Sequence, residues 1–379
     1  MKVMKIGIAM VGATAVLLSA CGSASSANTS ATTSSKSVDY ATCSSLAACG
    51  GMANLVKAAK AEGALTVTAL PADWANYGQI MSSFEKKYGI KIDDVSPDAS
   101  SATEIDGLKT LKGSSRSADV VDVGIPFAVQ GAKQGLFAGY QVKDWSQIPS
   151  DCKSPSGQWF CDYGGYISIG YNAALTKTPV TSFASLTNPA FRGGVALDGN
   201  PEDAGAAFSG VIAAALGNGG SYNNIMPGIK YFEHLKAIGN FIPVQSSAAT
   251  ISSGEVKVNI DWDYLNVAYE NALKGKVDWK VVIPKGVHYA SYYAQAIAKY
   301  APHPAAARLW EEYLYSNTGQ NLWLKGYTDP IRLTSMIKDG TVNKTYLAAV
   351  PPVSGTPVFP SQAQLNAAQT VILANWPKV

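Results

Sequence analysis

The sequence predicts an α/β protein of two lobes, and three observations carry the prediction. Strand-like apolar runs alternate with helical-period segments from residue 52 to residue 376. The chain has 379 residues, 47% of them hydrophobic, which supports a sizeable core divided between two lobes. Aromatic and acidic residues gather where strand-like runs end, the place where open α/β sheets bind ligands.

The elements follow in order. "MANLVKAAKAEG" has apolar residues at Met52, Leu55, Val56 and Ala59, a helical period with Gly63 as its C-cap. "LTVTAL" (65–70) alternates as a strand. Tyr77, Ile80, Met81, Phe84 and Tyr88 then mark one face of a helix. "ADVVDVG" (118–124) reads as a buried strand, followed by a short helix at "AVQGAKQG". This alternation predicts a parallel sheet. "GYISIGYNAAL" (165–175) is extended. A second α/β series follows: strand 193–199, helix 204–217, helix 228–239, and strands at 254–262 and 280–286. Helices at 304–316 and 361–376 end the chain, and no short-period repeat is present.

The N-terminus reads as a secretory signal: "MKVMK", an apolar run, then "LSAC" ending at Cys21. The run is too short for a comfortable membrane span, which needs about 20 residues. The Ser/Thr/Ala/Gly-rich stretch after it cannot bury apolar surface and reads as a flexible tether. Four cysteines remain, Cys43, Cys49, Cys152 and Cys161, and they allow three connectivities. The local pairs Cys43–Cys49 and Cys152–Cys161 are preferred because they close short loops. Neither pair has CxxC spacing or a nearby His, so no zinc site and no cofactor are expected.

The formal net charge is +3, and 15% of residues are charged. Without Lys2 and Lys5 of the signal the charge is near +1. No basic stripe marks a nucleic-acid surface. Three His residues are present, and the S-x-x-K matches (83–86, 150–153, 335–338) lack S-D-N or K-T-G partners. An enzyme is therefore not expected.

Four segments, "FEKKYGIKI", "YNAAL…PVTSFASLTNPAFRGGVAL", "SGEVKVNIDW" and "APHPAAARLWEEYLYSNTGQNLW", resemble in their order the type II solute-binding proteins of ABC importers. The resemblance spans roughly residues 62–335 and is to the branch that takes polyamines, ferric iron, thiamine and aminophosphonates. "LSAC" likewise resembles a lipobox, implying a lipid on Cys21. The resemblance implies a two-lobe fold with ligand in the inter-lobe cleft, a monomer, and an ABC permease as partner. It also implies a place on the outer face of the cell membrane. The expected division is signal 1–21, tether 22–50, first lobe 51–168, second lobe 169–282, and a return to the first lobe with C-terminal helices over 283–379.

"DWANYGQIMSSFEKKYGIKI" is similar to polyamine-binding members, in which a Trp and a Tyr at this spacing line the cleft. Their π faces suit an ammonium group. The expected ligand residues are Asp73, Trp74, Tyr77, Pro126, Glu202, Asp203, Ser247, Asp261, Trp262, Asp263 and Tyr264, with Asp261 and Asp263 holding the ammonium. Each has a bland reading as well. Tyr77 falls on a helix core face, Asp73 could cap that helix, and Glu202 and Asp203 suit a first helical turn. Tyr163, Tyr166, Tyr289 and Tyr292 suit hinge or core packing. Ser246, Ser247 and Thr250 replace an aromatic expected for a polyamine binder, and leave an aminophosphonate as an alternative. Ferric iron is disfavoured, because Tyr264 stands alone where paired tyrosines are typical. A lipid-anchored hydrolase and a surface adhesin are the alternatives of other classes.

Overall fold

The computed structural model describes residues 38–351 and 359–379. The signal, Cys21 and most of the tether lie outside them.

Helix α1 (Met52–Glu62) ends at Gly63, whose left-handed φ of 77° fits a glycine C-cap. Strand β1 (Ala64–Val67), helix α2 (Tyr77–Tyr88) and strand β2 (Lys91–Asp94) follow, with β1 and β2 parallel. Tyr77, Ile80, Phe84 and Tyr88 are buried on α2, the face that their 3.6-residue spacing predicts. Helix α3 (Ser101–Thr110), strand β3 (Val120–Gly124) and helix α4 (Ile125–Lys133) complete the first series.

The 13-residue strand β4 (Phe160–Asn172) connects two halves of the molecule. Strand β5 (Val195–Leu197), helices α5 (Gly205–Gly217), α6 (Met226–Ala237) and α7 (Ala248–Ser252), strand β6 (Val258–Trp262), helix α8 (Asp263–Ala272) and strand β7 (Trp279–Val282) build the second half. Strand β8 (Ala290–Ile297) returns the chain to the first half. Helices α9 (Pro304–Leu314) and α10 (Asn317–Lys325), strand β9 (Asp329–Pro330), helices α11 (Leu333–Lys338) and α12 (Lys344–Leu347), and helix α13 (Gln362–Asn375) complete it.

The parallel sheet expected from strand–helix alternation is corrected by the register. The main sheet runs β3-β8-β4-β6-β5 and is mixed. Only β5 and β6 pair in parallel there; β3–β8, β4–β8 and β4–β6 are antiparallel. The cause is the crossing. β4 leaves the first half and β8 comes back, so the two run in opposite directions side by side. Along β4, Phe160–Tyr166 pairs with β8, while Ile167–Tyr171 pairs with β6. β4 thus changes partner at Tyr166–Ile167.

Both expected disulfides are present, Cys43–Cys49 and Cys152–Cys161, each with Cα atoms 5.3 Å apart. A buried cation supports the N-terminal segment: Arg308 of α9 donates to the Cys43 and Ala41 carbonyls. Among the described residues, no helix is long and apolar enough to cross a membrane.

Candidate functional site: an acidic cavity between the lobes

A cavity of about 230 Å³ lies between the lobes. Its first-lobe wall is built from the loops after β1 and β2, the start of α3, and Asp122 of β3. The second-lobe wall comes from the loop after β5, the start of α5 and Gln245. Tyr293 of the returning strand sits between them. The loops after β1, β2 and β5 stand at carboxyl ends of strands, where open α/β sheets bind ligands, and Asp122 is the middle residue of β3.

The "LPADWANYG" loop is shaped by unusual backbone. Ala69, Ala75 and Asn76 all have positive φ, at 57°, 47° and 67°. Such angles cost an alanine about 1–2 kcal/mol each. Hydrogen bonds within the loop, Trp74 N to Pro71 O and Gly78 N to Ala72 O, hold the turn, and Asn76 Nδ2 ties it to the Leu322 carbonyl. The result sets Trp74 half-buried on the cavity wall. Its ring meets Tyr264 and Tyr293 edge-on, with centroids 6.2 and 5.8 Å away.

Behind Trp74 lies a buried polar chain. Trp74 Nε1 donates to the Tyr163 hydroxyl at 2.7 Å, which donates to Asp122 Oδ2 at 2.9 Å. Tyr77 donates to the same oxygen at 2.8 Å, and Gln295 donates to the Tyr77 hydroxyl. One carboxylate oxygen therefore holds two hydroxyls, which fixes the carboxyl group. The other, Asp122 Oδ1, is buried as well. The Asp122 carboxyl also interacts with the buried carboxyl of Asp162.

Five carboxyl groups line the cavity, Asp98, Glu104, Asp122, Asp198 and Asp203, and no Lys, Arg or His does so among the described residues. Burial pushes Asp122 and Asp198 up to about 7, partly offset at Asp122 by the tyrosine hydroxyls and at Asp198 by the Gln245 side chain. Glu104, whose Oε2 accepts the Asp122 amide, is held well above the usual carboxylate range by burial and by Asp122.

The expected site residues divide on this geometry. Trp74 and Asp203 line the cavity. Asp73 is exposed just outside it, near enough for its charge to act on Asp198. Asp73 does not cap α2; Asn76 occupies that position, without a side-chain cap. Tyr77 is fully buried and reaches the site only through Asp122. Glu202 accepts from Asn200 Nδ2 and faces a different groove, beside Lys236 and Trp376. Ser247 caps α7 reciprocally with Thr250, and Ser246 donates to Asn259, so these hydroxyls serve the fold away from the cavity. Pro126 is at the start of α4, in a narrow crevice with Trp262.

Asp261 and Asp263 stand outside the cavity lining. Both are buried. Asp261 accepts from the Trp262 amide and Asn259 Nδ2. Asp263 accepts from the Tyr166 and Tyr264 amides, pinning α8 to β4 where that strand changes partner. Burial raises Asp263 to about 8 and Asp261 well above its ordinary value, where the nearby Asp198 adds to the shift. Trp262 stacks on Tyr264 with centroids 6.2 Å apart, and both are core.

Glu104, Asp122, Asp198, Gln245 and Tyr293 were not expected at the site. Asp122 and Asp198 did carry a signal: a carboxylate inside or ending an apolar strand run, "VVDVG" and "VALDG".

Residues 115–346, more than half of the chain, match the model of a family described as bacterial extracellular solute-binding protein. The chain belongs to that family. It is a solute receptor and not an enzyme. A comparison with curated protein sequences gave no match. Among solved structures it is similar to the periplasmic binding protein AfuA from Actinobacillus pleuropneumoniae, with fructose-6-phosphate bound. The TM-score is 0.62 at 17% identity, covering 83% of this chain and 99% of that one. Iron-bound HitA from Pseudomonas aeruginosa gives 0.60 at 18%, covering 83% and 98%. AgtB from A. tumefaciens R10 in complex with agropinic acid gives 0.61 at 14%, with the same coverage. These likenesses show the fold, a two-lobe type II binding protein, and their three ligands differ in charge and chemistry.

Proposed function

We propose that this receptor captures a small amine-bearing solute, polyamine-like in its cationic groups, and delivers it to an ABC permease. The observation that carries the reading is the acidic cavity: five carboxyl groups, an aromatic wall at Trp74, and no Lys, Arg or His among the described residues that line it. An ammonium entering there is neutralised by the surrounding carboxyl groups, Asp122 and Asp198 among them, and meets the π face of Trp74.

A zwitterion is the second reading. Gly205 and Ala206 open α5 on the cavity, and the first amides of a 13-residue helix favour an acidic group. On this second reading the acid-binding end of an aminophosphonate is at α5, and Ser247 takes no part. Ferric iron has less support: among the described residues no three His, Cys, Asp or Glu side chains gather as a metal site. Anchoring through a lipid on Cys21, outside the described residues, would keep the receptor beside its permease.

The test is thermal unfolding with spermidine, a neutral sugar and a sugar phosphate. A bound probe at 100 times its Kd stabilises by about 2.7 kcal/mol. The reading expects a shift with spermidine alone; a shift only with the sugar phosphate would overturn it.

A further inference from the structure

Helix α13 packs against α4 in the first lobe and against α5 and α6 in the second, and it lies beyond the segment that matches the family. Its attachment to the second lobe is broad. Trp376 packs on Phe232 and Phe241, with centroids 5.3 and 6.0 Å away, and Gln364 Nε2 donates to Asn223 Oδ1 at 3.0 Å. Its contact with the first lobe is to α4. Leu365, only 3% exposed, enters a crevice lined by Ile125 and Pro126 of α4 and by Gly205 and Phe208 of α5.

That crevice lies on the seam where the lobes meet. It shares Gly205 and Tyr293 with the acidic cavity. The seam is closed in this structure: a Cβ placed on Gly124 would lie 3.4 Å from Gly205 Cα, and Ala102 N donates to Asp203 O at 3.2 Å across it.

We infer that α13 is a strap, carried by the second lobe, that holds the lobes closed by seating Leu365 against α4. Opening the seam parts Leu365 from Ile125 and Pro126 and returns apolar surface to water. A contact made in one arrangement and lost in the other shifts the population toward the first. The strap therefore raises the closed fraction before any solute arrives, and apparent affinity scales with that fraction.

Hydrogen exchange on the full ligand-free chain tests this without knowing the solute. Leu365→Ala cuts the contact from the strap, and Ile125→Ala cuts it from α4. Both should speed exchange several-fold in peptides covering Ala102 and residues 203–206. Peptides of β4 and β8 should stay protected. Unchanged seam exchange in both variants would overturn the strap, and so would equal acceleration of seam and sheet, which would mark general loosening.

Discussion

At the scale of single residues, Asp122 does two incompatible things. It is buried in the first lobe, where a charge is costly, and it lines the cavity. Asp122→Asn keeps an acceptor for Tyr77 and Tyr163 and removes the cost of ionisation. The variant should lose amine binding while melting higher than the parent at neutral pH, measured by calorimetry; a lower melting temperature would contradict the assignment of strain to this carboxyl group. Trp74→Leu keeps apolar bulk but removes the π face. Loss of about 0.5–2 kcal/mol, roughly a 2- to 30-fold weaker Kd, is expected for an ammonium ligand, and an unchanged Kd would take the ring out of the site. Trp74 was legible in the sequence because an aromatic before the helical period has no core face to join. Asp261 and Asp263 lie outside the cavity lining, and their surroundings give them another task. The end of a strand and the start of a helix leave bare amides as well as a ligand site, and these carboxylates satisfy the amides.

At the scale of elements, strongly periodic segments were legible and the crossings were not. The face of α2 follows from its spacing alone. Strand β8 did not follow, because "ASYYAQAI" carries neither strict alternation nor turn residues at its ends, and its pairing with β3 and β4 is set by tertiary contact. The N-terminus of α9 offers a test of its own. His303 Nδ1 sits 2.8 Å from Asp119 Oδ2, and Glu62 accepts the Ala305 and Ala306 amides. The hydrogen bond to Asp119 raises His303 above 6.5. Protonation is thus favoured in the folded chain, so the stabilisation is complete below pH 6.5 and fades as pH rises through the raised value. The melting-temperature gap between parent and His303→Gln should be widest in acid and shrink in alkali. A gap that widens with pH would refute the pairing.

For the whole molecule, two lobes close on carboxyl groups that hold protons more tightly than free ones. Asp122 and Asp198 move from 3.8 to about 7 on folding. Between those values the folded state binds more protons than the unfolded, so stability falls as pH rises from about 4 to about 7. A cationic solute reverses the preference, because it binds the ionised forms. Solute affinity should therefore rise over the interval in which the empty receptor loses stability. Isothermal titration of spermidine into the full chain, on either side of pH 7, measures this coupling directly. The account predicts tight binding above that pH, weaker binding with proton release near and below it, and none in Asp122→Asn. Binding that is indifferent to pH, or that survives Asp122→Asn, would contradict an acidic, amine-binding cleft.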